Sequence, residues 1–88
     1  MIRDDIEIFA NENELEIPMF DNPSYDTAII GLSINNEVVY DYDLMVDYLV
    51  KQNNCTVEDA IDYIEYNTIR ALPYCLYRNK PIVVRREL

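Results

Sequence analysis

Three tyrosines and three aspartates occupy nine positions in YDYDLMVDY, residues 40–48. A second run, VEDAIDYIEYNTIR, carries Glu58, Asp59, Asp62 and Glu65 with Tyr63 and Tyr66 between them. Carboxylates at this density can ligate a hard cation, share a proton as an acid–base pair, cap a helix or present a negative binding face. A calcium loop is excluded, because the first run has neither the D-x-D-x-D-G turn nor a closing bidentate glutamate. Structural zinc is excluded by counting, since the chain holds two cysteines and no histidine. Paired carboxylates also cleave glycosidic bonds, but a chain of 88 residues leaves little room for a sugar cleft. Nucleophilic catalysis lacks a base: Ser24, Ser33, Cys55 and Cys75 have no histidine to serve them, and one glycine cannot build a phosphate cradle. The expectation is a non-enzyme without metal or cofactor.

What remains is capping and charge. Strand end plus helix cap accounts for Tyr40, Tyr42 and either Asp41 or Asp43, and leaves the other aspartate and Asp47 as surplus. The surplus continues in the second run, where Glu58, Asp62 and Glu65 stand at i, i+4 and i+7 on one helical face. Asp59, Tyr63 and Tyr66 run beside them, followed by Arg70. Like charges at this spacing cost a few tenths of a kcal/mol per pair, and no lysine interleaves to offset them. A solvated helix face is one explanation. The other is an acidic row with aromatic neighbours that meets arginines which otherwise hold DNA phosphates. The candidate partner-binding residues are therefore Asp43, Asp47, Glu58, Asp59, Asp62, Tyr63, Glu65 and Tyr66.

The elements that must position these residues follow from periodicity and punctuation. DDIEIF and ELEIPMF alternate acid and apolar residues as half-buried strands do, with ANEN as the turn. DNPSYD reads as a loop, since Asn22 before Pro23 is pushed out of the helical region. In TAIIGLSINNEVVYDY, Ala28, Ile30, Leu32 and Ile34 alternate onto one face, continued by Val38, Tyr40 and Tyr42 if a three-residue loop pairs Ile34 with Val38. Gly31 suggests a bulge or a close neighbour. A helix starts at Asp41 or Asp43, burying Leu44, Met45, Tyr48 and Leu49 and leaving Asp43, Asp47 and Lys51 wet. A second starts at Thr56, with Asp59 as the short form of a capping box. Its stripe is Val57, Ala60, Ile61, Ile64, Thr68 and Ala71, and Leu72–Pro73 stops it. On this period Ile69 points outward. PIVVRREL completes the sheet. The predicted fold is a single α+β domain in the order ββ–ββ–αα–β, two helices on an antiparallel sheet of three to five strands. Ile30, Leu32, Ile61, Ile64 and Leu72 are its expected core.

Half the residues are apolar, so the chain is no disordered acidic tail despite a formal charge of −10. Residues 1–69 hold sixteen acids against Arg3 and Lys51, whereas residues 70–88 hold five bases against Glu87. Such a field repels nucleic acid from most of the surface and attracts basic proteins. Cys55 and Cys75 read as idle thiols of a reducing cytoplasm, although one disulfide is arithmetically possible. No apolar run is long enough to span a membrane, and the first residues are too acidic for a signal peptide.

The strings FDNPSYDTAIIGLSINNEVVYDYDLMVDYL and EDAIDYIEYNTIRALPY resemble a family of short proteins encoded by phages and mobile elements of Firmicutes. The likeness covers roughly residues 20–75, with YNTIRALPY (66–74) as its most distinctive string. It carries over no catalytic residue. It implies an accessory protein acting in the cytoplasm of a bacterial host cell. Small acidic proteins of that kind include inhibitors of host defence, anti-CRISPR proteins among them. Joined to the acidic row, the resemblance implies an anti-CRISPR whose carboxylates block nucleic-acid binding by a CRISPR effector such as Cas9, with no direct contact to nucleic acid. The alternative is a small regulatory or assembly adaptor of phage or host, with no DNA mimicry.

Overall fold

A computed structural model describes residues 3–86. The first described element is a helix, α1 (Arg3–Glu12), where two strands were expected. DIEIF satisfies a period of two, but Ile6 and Ala10 also stand at i and i+4, and these are the pair that is buried while Ile8 faces solvent. Asp4 and Asp5 in the first turn complement the helix dipole. The helix closes in a Schellman motif: the Leu15 amide donates to the Ala10 carbonyl at 2.8 Å and that of Glu14, at φ 55°, to Asn11. The rest of ELEIPMF, residues 15–20, runs on outside helix and sheet, where a second strand was expected. Arg3 ties α1 to the body, with Nε donating to Asp26 Oδ1 at 2.8 Å and a further bond to the Phe20 carbonyl.

The hairpin is β1 (Ile29–Leu32) with β2 (Val38–Asp41). Its register pairs Leu32 with Val38, not Ile34, so the loop is longer by two residues than the pattern suggested. Ser33 is the reason. Its hydroxyl accepts from the Asn35 and Glu37 amides and donates to the Glu37 carboxylate at 2.7 Å, closing a turn where the strand would have continued. Ile34 is left at the tip, 97% exposed. The register shift between Ile29 and Gly31 is the bulge that Gly31 suggested, and the space beside Gly31 is open.

Both helix starts have the expected chemistry. Asp41 caps α2 (Tyr42–Asn53), accepting from the Leu44 amide at 3.0 Å, and Thr56 caps α3 (Val57–Tyr63), accepting from Asp59 at 3.1 Å. The helical path then continues as a π-helix, Ile64–Ile69, with the Arg70 amide donating to the Glu65 carbonyl at 3.3 Å. Bonds closing from i to i+5 bring residues five apart into line. Ile69 therefore swings inward from its expected outward position and packs, half-buried, against the core. β3 (Ile82–Val84) completes the sheet beside β2, but parallel to it, pairing Val39 with Ile82 and Asp41 with Val84. The sheet, in order β1-β2-β3, is thus mixed rather than antiparallel. Two helices and a return segment supply the long crossover that a parallel pair requires.

The result is a small α+β fold with three helices and three strands among the described residues. Val38 and Tyr40 of β2 belong to one buried cluster with Met45, Leu49, Ala60, Ile64 and Ile6. Of the expected core residues Ile64 is fully buried. Leu32 and Ile61 pack half-buried against it, and Ile30 and Leu72 are half-buried. Tyr25, at φ 52°, holds a left-handed conformation that its packing enforces, with ring centroids 5.7 Å from Phe20 and 5.6 Å from Tyr48. Both cysteines are free.

Candidate functional site

The Thr56 cap sets the rotation of α3, and that rotation turns Glu58 and Asp62 outward while Ala60 and Ile64 go to the core. Glu58 and Asp62 are exposed, one turn apart, and make no ion pair among the described residues. The row's third member differs. Glu65 stands in the π-helix and accepts a hydrogen bond from the Tyr42 hydroxyl at 3.1 Å. The Arg85 guanidinium lies 4.6 Å from the centre of the Tyr42 ring on the basic tail. Burial first, and then the Glu65 carboxylate, raise the Tyr42 phenol above its ordinary pKa against the opposing effect of Arg85. Phenol, carboxylate and guanidinium thus hold one another, and Glu65 already has a structural task. Beside them Asp62, Glu65, Tyr66 and Arg70 line a shallow hollow, with the Arg70 guanidinium 5.4 Å from the Tyr66 ring centre.

The eight candidate residues are all exposed, yet they do not form one patch. Asp62, Glu65 and Tyr66 share a hollow, and Glu58 stands a turn above Asp62. Asp43 borders a different hollow with Asp41 and Arg86, and Asp47 a third with Thr27, Tyr48 and Lys51. Asp59 serves the Thr56 cap with its backbone amide. Tyr63 turns away from the row toward a groove bounded by residues 18–25. Among the described residues no three His, Cys, Asp or Glu side chains converge as metal ligands do. No helix there is long and apolar enough to cross a membrane.

Asp41 is the aspartate of YDYDLMVDY with the most defined role. Its side chain, 4% exposed as a residue, caps α2 and pairs with Arg86 Nε at 2.5 Å, tying the tail to the helix start. Burial opposes its ionisation. The Leu44 amide and then Arg86 outweigh that effect, so its folded pKa lies below the ordinary value. A carboxyl with a depressed folded pKa contributes its stability in full above the unfolded pKa and loses it as pH falls through the folded one. Asp41→Asn keeps a cap acceptor and removes the charge. Urea unfolding is expected to show wild type losing stability more steeply than the variant as pH drops below about 4. Parallel profiles would show that Asp41 does not titrate differently in the two states.

Two features escaped the pattern. Tyr74 and Leu76 are 84% and 98% exposed on the segment leaving the short helical turn Leu72–Tyr74. The groove itself is built by Phe20, Pro23 and Tyr25 against the π-helix, and the loop signal of DNPSYD marked its wall without indicating what faced it. Comparison with protein-family models, curated proteins and solved structures gives no match.

Proposed function

We propose that this protein is a non-enzymatic inhibitor that covers a basic, nucleic-acid-binding surface of another protein, its partner being a Cas9-type CRISPR effector in a bacterial host cell. The observation that carries the reading is the pair Glu58 and Asp62, exposed at i and i+4 without an ion pair among the described residues, beside the exposed Tyr66. Like charges so placed are unfavourable in the free helix. They become favourable when arginines that otherwise grip phosphates pair with them, because guanidinium matches carboxylate and phosphate in the same two-pronged geometry. In Cas9 such arginines read the short motif flanking the target. The resemblance of residues 20–75 to phage and mobile-element proteins supplies the cellular setting.

The adaptor reading has its own support in Tyr74 and Leu76, whose exposure suits an apolar contact with a partner. Salt distinguishes the two. Between roughly 0.1 and 1 M salt the screening length falls from about 10 Å to about 3 Å. Inhibition of target-DNA binding by a guide-loaded Cas9 of Firmicutes origin is expected to weaken steeply over that range when the protein is titrated in. Binding indifferent to salt would favour the adaptor, and absence of inhibition with every effector tried would overturn the proposal.

A further inference from the structure

The groove between residues 18–25 and the π-helix has a volume of about 250 Å³. Phe20, Pro23, Tyr63, Leu72 and Pro81 supply apolar wall, and Tyr25 and Thr68 lie at its base. Both base residues are more than nine-tenths buried, and their hydroxyls are 3.0 Å apart, each the other's hydrogen-bond partner among the described residues. One bond between two hydroxyls uses one of two protons. The pair therefore keeps a donor for an acceptor that enters the groove. Small-molecule sites usually enclose about 300–1,000 Å³, so this one suits a side chain or two rather than a whole drug-sized ligand. Among the described residues no Lys or Arg lines it, whereas Asp21 does, and Asp59 lies just outside the lining, one turn before Tyr63 on α3.

From these observations we propose that the groove docks an extended, basic-flanked peptide segment of a partner protein. A proline or leucine side chain fills the aromatic wall, and a main-chain carbonyl accepts from the Tyr25–Thr68 pair. Lysine or arginine on either side faces Asp21 and Asp59. Aromatic-lined grooves take proline-containing segments because these are already extended and lack an amide donor to satisfy. The site is independent of whether the α3 row meets a nucleic-acid-binding partner.

The probe is the blocked tetrapeptide acetyl-Lys-Leu-Pro-Arg-amide, titrated into the ¹⁵N-labelled protein. Saturable shifts are expected at Asn67, Thr68 and Ala71, and acetyl-Glu-Leu-Pro-Glu-amide should bind at least about tenfold more weakly. Ala71 is exposed at the groove, so Ala71→Leu fills it without disturbing the core and is expected to weaken binding by about tenfold or more. Tyr25→Phe combined with Thr68→Val removes both hydroxyls at nearly constant shape, a change that buried pairs tolerate, and should weaken binding while the fold persists. Cys75, which also lines the groove, gives a readout that needs no groove variant. In a Cys55→Ser background its alkylation should slow as the basic peptide saturates. Unshifted groove amides with unprotected Cys75, equal binding of the acidic peptide, or unchanged binding by Ala71→Leu would each overturn the proposal.

Discussion

Reversing Glu58 and Asp62 to lysine is expected to weaken inhibition of a Cas9-type effector by about a hundredfold or more. Close interfacial charge pairs couple by roughly 1.5–7 kcal/mol, so two pairs at the low end give about 3 kcal/mol, above two decades of affinity. The choice of positions comes from the tertiary structure. Glu65 belongs to the same row, but it accepts from the Tyr42 hydroxyl beside Arg85, and a lysine there would disturb the anchorage of the tail. Glu58 and Asp62 have no such bond among the described residues and point away from Ala60 and Ile64. Folding should survive with a loss of roughly 0.3–1 kcal/mol from a lysine near the N-terminus of α3. Circular dichroism and urea unfolding on the same sample check that. Glu12→Lys with Glu14→Lys, at the exposed end of α1, is the matched control and should leave inhibition unchanged. A silent reversal of Glu58 and Asp62 in an inhibitor that works would place the contact on another surface.

Ile64→Ala should cost about 2–5 kcal/mol in urea unfolding, a large share of the roughly 5–15 kcal/mol that a domain has. Ile64 is 0% exposed where the core meets the first turn of the π-helix, and neighbours held by the sheet and α2 collapse poorly into a cavity. Val57→Ala removes apolar atoms from the same sequence stripe but from a residue 54% exposed, and should cost less than about 0.5 kcal/mol. Equal costs at the two positions would mean that the core is not assembled as described.

These two residues also mark where sequence reasoning stops. Both satisfy the helical period, yet only tertiary packing decides which one is buried. Ile69 makes the same point from the other side. A regular period turns it outward, and the i→i+5 bonds of the π-helix bring it back to the core. The groove was beyond reach for a related reason, since Tyr25 and Thr68 are brought together across 43 positions by packing alone.

What the sequence by itself determined is local. Asp41 and Thr56 cap their helices because each side chain bonds an amide three residues on, a contact that needs no distant partner. Asp43, Asp47, Glu58 and Asp62 face solvent because their spacing sets them opposite apolar stripes, and burying a bare carboxylate is too costly. The tertiary structure decided the rest. DIEIF fits a strand or a helix equally well, and docking through Ile6 and Ala10 selects the helix. β3 could run either way by composition, and the crossover through α2 and α3 sets it parallel to β2, where Arg86 reaches Asp41. Periodicity is a property of neighbours along the chain, whereas direction, register and enclosure depend on which distant surfaces meet, and that is a matter of packing.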